Sequence, residues 1–161
     1  MAIYLTEWDA AVRLLIAVIL GGLIGFERER AAKPAGLRTY ALVAEGAALF
    51  MICSLLIGNL VASTTGDIYD PSRIASTVVQ GIGFLAAGVV FASGRQIRGL
   101  TTGAGLWVTA GIGLTVGAGF YIVAAVATIL ALVLLHAIKW LEVRPPHGPR
   151  ESSPDQEIDE P

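Results

Sequence analysis

Few side chains in this sequence have the types and spacing to do chemistry, and the most conspicuous is Glu45. It lies seven residues after Arg38, on the same helical face, in an otherwise apolar run from Tyr40 to about Val61. A carboxylate inside a membrane span is costly unless it is paired, protonated or wetted. Glu45 is therefore either an ion or proton site or a carboxylate reaching toward a basic loop. That loop is close by in sequence, because Glu27–Arg38 (ERERAAKPAGLR) holds Arg28, Arg30, Lys33 and Arg38. A second basic connector, Ser93–Thr102, carries Arg95 and Arg98 and ends in Thr101 and Thr102, with Trp107 about a turn and a half further on. Helix lengths place Glu27, Arg28, Arg38, Glu45, Arg98, Thr101 and Thr102 at one membrane face, with Trp107 at a depth similar to Glu45. These groups are expected to converge on a polar pocket whose basic members keep Glu45 ionised.

The remaining candidates carry less. Asp67 and Asp70 are two loop carboxylates that could meet a divalent cation such as Mg2+, although Asp70 already has a sufficient role as the N-cap of a helix with Pro71 at its first position. Gln80 in a span is more often a helix–helix contact than a ligand. Cys53 is single and lies in an apolar stretch, and His136 and His147 are isolated. No nucleophile–base–orienter set, phosphate loop or Cys/His metal spacing occurs, so neither an enzyme nor a bound cofactor is expected. Basic patches interleaved with aromatics are also missing, which argues against nucleic acid as a partner.

The elements that must position these residues are membrane spans. The chain has 161 residues, of which 55% are hydrophobic and only 15% charged, and its mean hydropathy is +0.70. Soluble domains carry about 25% charged residues. Spans are expected at about Ala10–Phe26, Tyr40–Val61 and Ile74–Ala92. From Gly103 to Ile138 no formal charge appears. As one helix this stretch would be about 54 Å long against about 30 Å of hydrocarbon, so it divides into two spans at Gly117-Ala118-Gly119. The fold class is thus all-α, a multi-pass bundle of about five spans over residues 1–141, followed at 142–161 by a polar tail expected to be disordered. Lys and Arg alternate between the two sides. Arg28, Arg30, Lys33, Arg38, Arg95, Arg98, Lys139, Arg144 and Arg150 fall on one side, and only Arg13 and Arg73 fall on the other. This places the N-terminus outside and the C-terminus in the cytoplasm.

Packing signals complete the pattern. Gly21/Gly25 and Gly113/Gly117 are G-x-x-x-G pairs that let helix backbones approach. In the third span Arg73, Ser76, Gln80, Gly83 and Ala87 share one face, with Thr77, Gly81 and Gly88 beside it. Ile74, Val78, Ile82, Leu85 and Val89 form the opposite face. The small and polar face is expected to pack against other helices and the aliphatic face to meet lipid. The partners implied are the bilayer and either a second copy or another membrane protein.

Four motifs in register resemble the MgtC/SapB family of bacterial membrane proteins. They are Gly21–Glu29 (GGLIGFERE), Pro34–Thr39 (PAGLRT), Asp70–Ala75 (DPSRIA) running into Gly81–Leu85 (GIGFL), and Arg98–Thr102 (RGLTT) with Trp107. The resemblance implies a non-enzymatic, multi-pass protein of the bacterial inner membrane. It also implies a link to growth in low magnesium, to virulence in some pathogens, and to regulation of other membrane proteins including the ATP synthase. An oligomeric carrier or channel for Mg2+ or protons is the alternative. Glu45, Ala86 and Gly103 depart from the family pattern, and many relatives carry a folded cytoplasmic domain where this sequence has only its short tail.

Overall fold

A computed structural model of the chain describes residues 5–65, 69–91 and 98–141. It is all-helical, with five helices in order: α1 (Glu7–Arg30), α2 (Leu37–Thr65), α3 (Ser72–Phe91), α4 (Leu100–Gly117) and α5 (Tyr121–Leu141). The first four are long and apolar enough to cross a membrane. The expected tail, 142–161, lies outside the described residues, as do Asp67 and Arg95.

Local sequence sets the helix ends. A capping box opens α1: the Asp9 N–H donates to Thr6 Oγ1 (3.1 Å) while the Thr6 N–H donates to the Asp9 carboxylate (3.2 Å). The helix runs a turn past Phe26 and closes with the Ala32 and Lys33 N–H groups donating to Glu29 O and Arg28 O. Ala32 sits in the left-handed region (φ 51°) that such an ending requires. The α4–α5 break uses the same device at the Gly-Ala-Gly signal. Gly119 takes φ 93°, and the Gly119 and Phe120 N–H groups donate to Val116 O and Thr115 O. Glu29 Oε2 accepts from the Leu37 N–H (2.9 Å), tying the end of α1 to the start of α2.

The bundle is built around α2. Its inward stripe is Tyr40, Ala44, Ala47 and Ala48, all buried. Gly21 and Gly25 of α1 lie against one edge of it: a Cβ on Gly21 would come within 2.6 Å of Ala44 Cβ, and one on Gly25 within 2.8 Å of Tyr40 Cβ. Gly113 and Gly117 of α4 lie against the other edge, where a Cβ would come within 2.9 Å of Ala47 Cβ and 2.7 Å of Ala48 O respectively. Ile24, Leu106, Ile112, Val116 and Ala124 fill the space that remains. The buried hydroxyls of Thr109 and Thr128 donate to the carbonyls four residues earlier, so they carry no unsatisfied donor into the apolar interior.

On α3 the expected faces are reversed except at Leu85, which stays exposed. Ile82 is the buried residue, with Val78 packed near it against Ala47 and Ala110. Gly81 and Gly83 face open space, where an added Cβ would meet nothing within 4 Å, and Arg73 and Gln80 are exposed. The physical reason is that the α2 stripe is already taken up by the glycines of α1 and α4. What α4 and α2 still present to α3 is an apolar surface, and an aliphatic ridge fits that surface better than a glycine groove does.

Candidate functional site

Two arginines on α1, about 22 Å apart along the helix, mark the two ends of the bundle. Arg13 is buried rather than reaching out to the interface. Its Nη1 donates to Gly117 O (2.6 Å), one of the terminal carbonyls of α4, where a cation also meets the negative end of the helix dipole. Its Nε has no hydrogen-bond partner among the described residues. At the other end Arg28 is only 2% exposed. It forms an ion pair with Glu27 and donates through Nη2 to Leu135 O of α5 (3.3 Å).

Around Arg28 the ends of α1, α4 and α5 enclose a cleft of about 980 Å3. Arg28, Arg98, Thr101 and Thr102 line it, joined by Lys33 and by the left-handed Gly99 that precedes α4. Glu27 joins this set through its ion pair with Arg28. Three of the residues expected to converge here do not. Arg38 is exposed and lines a separate groove of about 850 Å3 between α2 and α3. Glu45 is half-buried on α2, outside both spaces, with no ion pair or hydrogen bond among the described residues. Trp107 is 52% exposed and lines neither space. The cause is the rotation of α2. Tyr40 points inward, and Arg38, two residues away, therefore projects from the opposite side of the helix, carrying Glu45 round with it at seven-residue spacing.

Tyr40 itself is the residue that the sequence pattern left unnoticed. Fully buried, its hydroxyl donates to Thr102 O (3.2 Å), linking the first turns of α2 and α4 beneath the cleft. The available signal was an aromatic residue with a polar tip at helical spacing from Ala44 and Ala48. Ser54, also fully buried, is a second such residue: its hydroxyl donates to Pro71 O (3.1 Å) at the entry to α3.

Asp70 acts as a cap. Its Oδ1 accepts the Ser72 N–H (2.9 Å), and hydrogen bonds from the Ser72 hydroxyl and N–H hold its carboxyl below the usual carboxylate range. Among the described residues no group of three or more His, Cys, Asp or Glu side chains could hold a metal ion.

The cleft's cations can hold an anion, and α3's exposed face can meet another helix. Comparison with known proteins fixes the relationship. The MgtC family model matches residues 14–144. Protein MgtC of Salmonella typhimurium (strain LT2) is 48% identical over 121 residues, covering 75% of this chain and 48% of that protein. Protein MgtC of Brucella suis biovar 1 is 48% identical over 118 residues, 73% of this chain and 46% of its own length. The chain thus spans about half the length of these curated relatives. No solved structure matches it. The chain is a multi-pass, helical membrane protein that belongs to the MgtC family.

Proposed function

We propose that this protein acts without catalysis, by docking a transmembrane helix of another protein against α3 and so regulating that partner, in the low-magnesium setting that the family resemblance implies. The observation that carries this reading is Gln80. It sits midway along α3, exposed, with no hydrogen-bond partner among the described residues. The neighbouring Ser76 and Thr77 hydroxyls both donate to Arg73 O and are satisfied within the helix. A primary amide facing acyl chains gains a hydrogen bond of about 0.6–2 kcal/mol when a second helix supplies the acceptor. Gly81 and Gly83 beside it leave room for close backbone approach. The basic-residue alternation supports an N-outside, C-inside orientation in the inner membrane. A periplasmic reporter that is active when fused after Arg144 would refute that orientation.

The docking reading is tested by crosslinking in native membranes, in a Cys53→Ser background. Gly81→Cys is expected to give adducts with another membrane protein that Val126→Cys, on the exposed face of α5, does not give. Equal labelling at both positions removes the reading. A second reading, an oligomeric carrier of Mg2+ or protons, rests on Glu45, a half-buried carboxylate on a span with no partner among the described residues. Magnesium or proton flux into sealed vesicles of the purified protein, lost in Glu45→Gln, would establish it in place of the first.

A further inference from the structure

We propose that the cleft between α1, α4 and α5 binds one anionic phospholipid, with its phosphate among Arg28, Lys33 and Arg98 and its acyl chain laid along α5. The cleft is polar at one end only. Arg28, Lys33 and Arg98 gather there, with Glu27 bonded to Arg28. The start of α4 faces the same end. Gly99 precedes it with φ 87° and provides no side-chain cap. The first intrahelical bond runs from the Gly103 N–H to Gly99 O (2.8 Å), so it leaves the N–H groups of residues 100–102 outside the helical ladder. Cations together with a helix N-terminus favour a phosphate over other groups of the same size.

Below that end the lining becomes apolar, with Val108 on α4 and Ala127, Leu130 and Leu134 on α5. From Leu135, whose carbonyl accepts from Arg28, to Ala127 is about 12 Å along the helix. The polar head and the apolar wall form one continuous space of about 980 Å3. A free anion would leave the wall against nothing, and a zwitterionic lipid would bring its own ammonium group to an end lined by Arg28, Lys33 and Arg98. An anionic lipid satisfies both parts, as basic pockets between membrane helices do elsewhere. Because α3 takes no part in this cleft, the lipid site stands or falls separately from the partner-helix reading.

The test is native mass spectrometry of the purified full chain exchanged into mixed micelles of phosphatidylglycerol and phosphatidylcholine. One phosphatidylglycerol is expected to be retained preferentially. Lys33→Gln and Arg98→Gln should each lower that retention about fivefold, the factor that accompanies loss of one cation at a lipid headgroup. Arg30→Gln should leave it unchanged, since Arg30 lies over the Phe26 ring at the same end of α1 but outside the cleft. A large excess of inorganic phosphate should not displace the lipid. The proposal is overturned if the two lipids are retained equally. It is also overturned if Arg30→Gln lowers retention as much as Lys33→Gln does, which would mean general surface attraction. Full displacement by inorganic phosphate overturns it too, and assigns the cleft to a soluble anion.

Discussion

The seam where α1 and α4 grip α2 and the flank where α3 leans on the bundle are made of the same residues, glycine, alanine and aliphatic side chains, and they pack in opposite senses. At the seam, glycines face the alanine stripe of α2 so closely that a single added methyl group would collide with backbone or Cβ atoms. On the flank, Gly83 faces outward and Val78 and Ile82 face inward. In an 18-residue apolar stretch of α4, 56% of the residues are buried, against 6% in the corresponding stretch of α3. A stripe of small residues is therefore not an instruction to pack inward. It becomes one only when a second helix offers a complementary stripe, and α2 has a single such surface, already shared by two glycine pairs.

Breaking the seam should have the largest effect. Gly113→Leu forces a branched side chain into the space held by Ala47 Cβ and the α2 backbone. The expected loss is at the upper end of the range of about 1–3 kcal/mol for overpacked interiors, read as a lowered melting temperature in detergent. Gly83→Leu enters open space and should change the melt by less than about 0.5 kcal/mol, even where it blocks a partner helix. Equal losses for the two variants would erase the distinction between seam and flank.

The same contrast explains what was legible in the sequence. The five helices and their four breaks can be read because each break is signalled locally: Pro34 and Gly36, then Asp70-Pro71, then the polar connector that ends at Gly99, then Gly117-Ala118-Gly119. Backbone capping acts over three or four residues, so sequence neighbours suffice to see it. Which face of α3 turns inward depends instead on what α2 and α4 leave uncovered, and no window along α3 contains that information. The cleft was half legible for a related reason. Arg28, Arg98, Thr101 and Thr102 could be brought together by their position at helix ends. The separation of Arg38 and Glu45 from them depends on the rotation of α2 about its axis. That rotation is fixed by Tyr40 reaching Thr102 O, a contact between residues far apart in the chain.

A smaller effect sharpens the comparison by loosening the flank alone. Ser54 is fully buried on α2 and its hydroxyl holds Pro71 O at the entry to α3. Ser54→Ala removes that donor and should destabilise the attachment of α3 by about 1 kcal/mol. Hydrogen exchange should report it as lost protection across Ser72–Val90 with the amides of α4 unchanged. If protection falls equally in α3 and α4, the flank is not an independent unit and the bundle opens as one.

The smallest effect concerns the cap at the same entry, and pH isolates it. Asp70 is fully exposed, and its carboxyl lies below its ordinary value of 3.8 because the Ser72 hydroxyl and N–H hydrogen-bond to the ionised form. A carboxyl whose value falls on folding contributes stability that is fully present above its unfolded value and disappears as the pH drops through its folded one. The protection of α3 relative to α4 should therefore hold steady from neutral pH down to about pH 4 and decline below it. Taking the ratio of the two helices removes the pH dependence of the exchange chemistry itself. Asp70→Asn keeps an oxygen that can accept from the Ser72 N–H, and Asn is as good an N-cap as Asp. This variant should protect α3 almost normally at neutral pH and lose the acid-dependent decline. A decline of the same size in Asp70→Asn would trace the acid sensitivity to some other carboxylate and leave Asp70 a cap without a titratable role.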